Sequence, residues 1–286
     1  MRWSPGGSNP DVEDRRGTSY GGGGGGMRIP VGRFGIGGFL VLLVLSLVFK
    51  RDFLGLLGGG DTVTTAEQPV NASPAEQKRE QFVEFILGDV QSTWDTLLAS
   101  QTRTPYQHAK LVLFRDAVES ACGFAQAATG PFYCPADHKV YIDLGFYDEL
   151  AQRFGAPGEF AEAYVLAHEI GHHVQYLLGT TERAQSAEQR DPRGANAVSV
   201  RVELQADCYA GVWGAAAAKK NELDPGEAEE GLAAAAAVGD DRIQRMGGRA
   251  VNPDAFTHGS AEQRATWFRR GFQTGQVSAC NTFNNQ

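Results

Sequence analysis

The chain has 286 residues, 42% of them hydrophobic, enough for one domain with a sizeable core plus extensions. A net charge of −8 leaves no basic footprint, so nucleic acid is excluded as an expected partner, and the acidic balance itself speaks to solubility rather than to substrate.

Residues 1–33 carry Pro, Asp and Arg and a glycine run from Gly21 to Gly26, a composition that predicts a disordered tail. The run is not a phosphate loop, because no strand precedes it and no Gly-Lys-Ser/Thr follows. Residues 34–50 read as one transmembrane helix. Phe34 to Phe49 hold no charge and are bracketed by Arg33 and by Lys50-Arg51. As a helix they cover roughly 24 Å of a hydrocarbon core of ~30 Å, and snorkelling of the flanking cations closes the gap. A cleaved signal peptide fits less well, since the apolar core begins late and Leu47, Val48 and Phe49 offer no small-x-small site. Nearby Lys and Arg hardly decide orientation. All four cysteines, Cys122, Cys134, Cys208 and Cys280, follow the span, an even number that suits an exported domain, and no Cys-x-x-Cys spacing supports a metal cluster. The expectation is a single-pass membrane protein, N-terminus cytoplasmic, with residues 75–286 on the extracytoplasmic (periplasmic) side. Cys122 and Cys134 flank a short loop that a bridge can close, and a Cys208–Cys280 bridge would pin the C-terminal end onto the ligand helix.

Residues 51–74 form a polar linker without periodicity. From Pro74 to about Ser100, Phe82, Phe85, Ile86, Val90, Trp94, Leu97 and Leu98 make the apolar stripe of a helix. Residues 110–115 and 139–144 read as strands, the second alternating through Val140, Ile142 and Leu144, with an intervening strand in 124–134 turned by Gly130-Pro131. A short helix over 148–154 leads into a longer one, where Phe160, Ala163, Ala167, Ile170, Val174 and Leu177 recur at helical spacing up to a stop at Gly179. Helices are also predicted from Asn196, as cap, to Ala218 and over 225–238. Residues 247–259 are loop, and a last helix over 260–271 is capped by Ser260 with Gln263 at the box position and Trp267 and Phe268 for packing.

The fourth of these helices contains His168-Glu169-Ile170-Gly171-His172-His173. Positions i and i+4 share a helix face, so His168 and His172 can reach one metal ion together, with Glu169 placed to address water bound there. A catalytic zinc takes a third protein ligand, and Glu203, in Val202-Glu203-Leu204-Gln205-Ala206-Asp207, supplies it. Asp207, four residues on, would accept the free N–H of a ligand histidine and set its tautomer. The competing reading is that both acids merely solvate a helix face. A metzincin ligand set fails, because Gln175 and Leu178 stand where Gly and His are required. His173 is offset from His172 and belongs to packing or surface; His108 and His138 have no partner pattern.

His168-Glu169-Ile170-Gly171-His172-His173 followed by Glu203-Leu204-Gln205-Ala206-Asp207-Cys208-Tyr209-Ala210-Gly211 resembles the bacterial putative neutral zinc metallopeptidase family and, more broadly, the gluzincin arrangement of two His and one Glu. The likeness extends to Gly130-Pro131-Phe132-Tyr133-Cys134-Pro135, Val140-Tyr141-Ile142-Asp143-Leu144 and Thr257-His258-Gly259-Ser260, and so spans roughly residues 75 to 286. It implies an α+β, predominantly α, zincin-like domain with a small antiparallel sheet, a membrane anchor, and a strand, here 139–144, that pairs at its edge with an extended substrate.

The expected chemistry is hydrolysis of a peptide bond with one Zn2+ per chain: Glu169 as general base, and His258, ahead of Tyr209, as donor to the carbonyl oxygen. A His that caps the following helix is the plainer role for His258. The expected partner is a peptide or unfolded protein, with oligomeric state open. The alternatives are a catalytically silent zincin serving as an envelope binding module, and a zinc hydrolase of another amide or ester bond.

Overall fold

The computed structural model describes residues 1–20, 65–67 and 69–283. The chain divides into two units, Met1–Arg16 with Val70–Gln286, and Gly17–Pro69. In the smaller, β2 (Thr18–Tyr20) pairs antiparallel with β3 (Thr65–Glu67). The span expected over 34–50 and most of the linker lie outside the described residues; among those described, no helix is long and apolar enough to cross a membrane.

The larger unit is mostly helical with a small sheet. Its first helix, α1 (Pro74–Thr102), starts where Ser73 Oγ accepts the Glu76 amide at 3.2 Å and Pro74 presets the first turn. The predicted stripe is its buried face: Phe82, Ile86, Val90, Trp94 and Leu98 are 0–2% exposed. That face meets the sheet β1 (Val12–Asp14), β4 (Lys110–Phe114), β8 (Lys139–Asp143) and β7 (Phe132–Cys134), in the order β1-β4-β8-β7. A two-stranded hairpin, β5 (Ala117–Ser120) with β6 (Gly123–Gln126), stands apart from it.

Three expectations change here. The sheet is mixed rather than antiparallel: β1, β4 and β8 run parallel and only β7 runs against β8. The hairpin and β7 form a crossover long enough to bring β8 back in β4's direction. Strand 139–144 is consequently internal, flanked by β4 and β7, and its backbone is already paired; among the described residues, the edge on that side is β7.

The start of the chain is also folded. Val12, Glu13 and Asp14 pair with Leu111, Val112 and Leu113, and Trp3 packs on Phe82 with ring centroids 5.2 Å apart. Arg16, buried, ion-pairs with Asp14, Glu76 and Glu80 at 2.7–3.1 Å. The composition suggested disorder because this stretch has no core of its own. It uses the backbone of an existing strand and the carboxylates of α1 instead.

The other helices are α2 (Phe146–Gln152), α3 (Glu159–Leu177), α4 (Thr180–Arg190), α5 (Ala195–Lys219), α6 (Glu227–Ala237), α7 (Asp240–Met246) and α8 (Ala261–Thr274). Gly179, with φ 70°, ends α3 as expected, but the chain turns straight into α4. Gly194 caps α5 in place of Asn196, whose side-chain amide donates to the Asp254 carbonyl. Ser260 and Gln263 form the predicted capping box of α8.

Helices α5 and α8 touch backbone to backbone. A Cβ on Gly271 would lie 1.9 Å from the Cys208 oxygen, and one on Gly211 would lie 2.1 Å from the Phe268 oxygen. Both cysteine pairs are bridged, Cys122–Cys134 with Cα atoms 5.8 Å apart and Cys208–Cys280 at 5.5 Å. Gly271→Ala must push the two helices apart and is expected to lower unfolding free energy by about 1–3 kcal/mol or more. Gly6→Ala, where nothing lies within 4 Å, serves as the neutral reference in the same thermal melts.

Candidate metal centre

Helices α3 and α5 cross at Gly171, where a Cβ would sit 3.0 Å from the Ala206 oxygen and 3.2 Å from its Cα. A glycine in the middle of the histidine motif therefore lets the two helix backbones close up. That approach brings His168, His172 and Glu203 together, with one ligand atom of each within 4.8 Å of the others. His168 Nε2 lies 3.2 Å from Glu203 Oε2, and His172 Nε2 lies 3.5 Å from Glu203 Oε1. Two imidazoles and one carboxylate, converging from two helices, fit a zinc ion that keeps a further position open.

The ring nitrogens facing away from this point are both held. His168 Nδ1–H donates to Asp207 Oδ1 at 2.9 Å, and His172 Nδ1–H donates to Gln175 Oε1 at 2.9 Å. Each bond anchors Nδ1–H, so that Nε2 is the nitrogen that gives up its proton to face a metal at the ligand point. Gln175 is itself fixed, donating to the Val202 carbonyl at 2.7 Å and to Gln205 Oε1 at 3.2 Å, while Gln205 donates to the Cys280 carbonyl at 2.8 Å. The disulfide partner of the ligand helix thus also supports His172.

Asp207 has no exposed surface. Arg264 grips it with Nε–H to Oδ2 at 2.8 Å and an Nη2–H to Oδ1 at 2.9 Å, and the Tyr164 hydroxyl adds a third donor. Burial alone would raise the Asp207 carboxyl, but the charges of Arg264 and His168 hold it down at about 2. Burial likewise opposes charge on His168, and Asp207, with help from Glu203, outweighs it and pushes the imidazole up to about 10. Glu203 is lowered too: burial works against its charge and the two histidines overcome it.

The ligand set opens into a cavity of about 560 Å³ that also holds Glu169, Arg264 and His258. Pro131, Phe132, Phe146, Phe154 and Ile243 give it an apolar wall. The loop carrying His258 is wrapped around one carboxylate: the backbone N–H groups of Thr257, His258 and Gly259 all donate to Asp240 Oδ2, at 2.8, 2.6 and 3.0 Å. Asp240 Oδ1 faces His258 Nδ1 at 3.2 Å, and this bond, against partial burial, raises the imidazole above its ordinary value.

Other expected residues fall elsewhere. Tyr209 is buried edge-on to Trp94 and does not line the cavity, which removes it as a donor. His173 is 1% exposed, donating through Nε2 to the Gln107 carbonyl at 2.6 Å and accepting from the Tyr133 hydroxyl at 2.9 Å. Burial drops it to about 4, so it is a neutral tie between α3 and β7. His108 has partners after all, Asp11 and Asp95. Arg264, Tyr164, Gln175 and Asp240 were not anticipated. Two of them had a usable signal. Arg264 shares the i, i+3, i+4, i+7 face of α8 with Trp267, Phe268 and Gly271, and Gln175 lies one turn after His172.

Against known proteins, the model of the family described as "Putative neutral zinc metallopeptidase" matches residues 1–283. The uncharacterized protein YpfJ of Escherichia coli is 44% identical over 289 residues, covering 99% of each chain. The uncharacterized protein Rv2575 of Mycobacterium tuberculosis is 46% identical over 206 residues, covering 68% of this chain and 67% of its own. No solved structure matches.

Two variants test the buried pair that backs the ligand set, and both are read for zinc binding and for stability, since either one strands a buried charge. Asp207→Asn should weaken zinc binding about 10–100-fold, read by competition with a chelator. Arg264→Met strands the buried Asp207 charge and should cost about 3–5 kcal/mol in denaturant unfolding.

Proposed function

The chain belongs to the putative neutral zinc metallopeptidase family, and from that premise we propose a membrane-attached zinc endopeptidase acting on peptides or unfolded protein outside the cytoplasm. The observation that carries the reading is the meeting of His168, His172 and Glu203 with Glu169 and His258 in one cavity. Bound there by those three ligands, zinc supplies a Lewis acid that acidifies water and polarises a carbonyl.

The chain's own groups provide the rest. Glu169, 8% exposed beside His168, takes the proton of the attacking water and delivers it to the departing amine. His258, held by Asp240 and favoured in its protonated form, donates toward the carbonyl oxygen as negative charge builds on it. Asp240 fixes the whole loop, so this donor is oriented before substrate arrives. An extended substrate backbone pairs with the edge of β7, where Phe132 and Tyr133 line the cavity, in place of the internal β8. Attachment to a membrane is supported by the uncharged stretch Phe34 to Phe49 between Arg33 and Lys50-Arg51. An oxidising, extracytoplasmic setting is supported by the two disulfides.

The test compares wild type with Glu169→Gln, by elemental analysis for zinc and by cleavage of casein. About one zinc per chain in both, with cleavage in wild type alone, is the expected result. Zinc in both without cleavage in either favours the binding-module reading, and absence of zinc from both sinks the ligand set. His258→Ala should lower kcat about 10²–10³-fold with zinc content unchanged.

A further inference from the structure

One wall of the cavity belongs to a segment whose two ends are cross-linked. Thr129, Gly130, Pro131, Phe132 and Tyr133 all line the cavity, and all lie between the bridged Cys122 and Cys134. Cys122 is in the turn of the β5–β6 hairpin and Cys134 ends β7, so the bridge closes the loop that carries the wall. Past Phe132 the loop is held by the pairing of β7 with β8 and by the Tyr133 hydroxyl on His173. Ahead of Phe132 the hold is slighter. Ala127 N–H donates to the Asp116 carbonyl at 2.7 Å, while Gly130 N–H turns back to Ala127. The hairpin itself packs through a small core, separate from the main one, that joins its Val118 to Val112, Phe114, Cys134 and Tyr141. The two disulfides also differ in access. Cys122 is exposed, whereas Cys208 and Cys280 are both 0% exposed and sit in the main core.

We propose that Cys122–Cys134 is a thiol-exchange site, through which a dithiol loosens the substrate-binding wall and leaves the metal ligands in place. The proposal rests on polypeptide binding in the cleft, as read above, and not on cleavage. A thiolate of the dithiol attacks the sulfur of the exposed Cys122, the bond to Cys134 breaks, and Cys134 leaves as a thiolate that takes a proton. The second thiol of the reagent then displaces Cys122. The dithiol ends as a disulfide, and its two electrons and two protons end on the two cysteine thiols. Opening the bridge gives back to the loop the freedom that the cross-link withheld. That freedom falls first on Thr129, Gly130 and Pro131, where the wall is least bonded. The ligands lie elsewhere, on α3 and α5, whose close crossing at Gly171 and whose own buried disulfide the exchange does not touch. An exposed bridge beside a buried one is the labile member of the pair.

Full-length protein is titrated with dithiothreitol, alkylated and mapped by mass spectrometry. Cys122 and Cys134 should alkylate at dithiothreitol concentrations about tenfold or more below those that open Cys208–Cys280. With the first bridge alone open and the reagent removed, amides in 129–133 should exchange hydrogen about tenfold faster, those in 168–172 at their former rate. Zinc per chain, by elemental analysis, should not change. Glu169→Gln protein treated in the same way reads the binding of labelled casein without cleavage, and its Kd should rise about tenfold. Cys122→Ala with Cys134→Ala opens the bridge without an added alkyl group and should match in both readouts; should that variant not fold, the wild-type titration decides alone. Opening of both bridges together overturns the exchange site. So does an unchanged exchange rate in 129–133, or an unchanged casein Kd, once the first bridge alone is open. A wild type that binds casein and fails to cleave it removes the peptidase reading and leaves the exchange site standing.

Discussion

The carboxylate of Asp207 is the point on which the metal centre depends. It is wholly buried, and a bare carboxylate in that position would be costly; its oxygens are met by Arg264, Tyr164 and His168, which draw α8 and α3 onto α5. Bonded in this way, Asp207 does two jobs. It joins three helices at one locus, and it presents His168 with its tautomer already chosen. The glycines at 171, 211 and 271 are the steric side of the same arrangement, since polar groups this short can meet only if the helix backbones come close.

Much of this centre is legible in the sequence because its parts are local. His168 and His172 are separated by one helical turn, as are Glu203 and Asp207, and periodicity alone assigns each pair to a face. The crossing that joins the two pairs is not local. What brings Glu203 to the histidines is a close approach at Gly171, and a glycine inside a helix looks from sequence like a weak point rather than a contact. Arg264 escaped notice for a related reason. A charged residue on a capped helix is ordinarily solvated, and only its phase with Trp267 and Phe268 shows that it points inward.

The sheet illustrates the opposite failure. The strands over 110–115 and 139–144 were readable, the second from its alternation, yet their neighbours were not. Direction depends on the length of the crossover, and β1 comes from a segment whose composition, rich in glycine, proline and charge, suggests no structure. Its order is supplied by others: backbone partners on β4 and carboxylates on α1. Composition measures what a segment can bury by itself, and that is the wrong quantity for a strand that completes a sheet.

The C-terminal contacts of the ligand helix have a bearing on the order of assembly. Arg264 follows His168 by 96 positions, and Cys280 follows Cys208 by 72. The ligands and the two side chains that orient them, Asp207 and Gln175, are therefore synthesised well before Arg264, which braces Asp207, and before Cys280, on whose carbonyl the His172 support running through Gln205 ends. A growing chain carries the ligands long before it carries a finished centre. Bracing of the ligand set is thereby tied to completion of α8 and of the segment that carries Cys280.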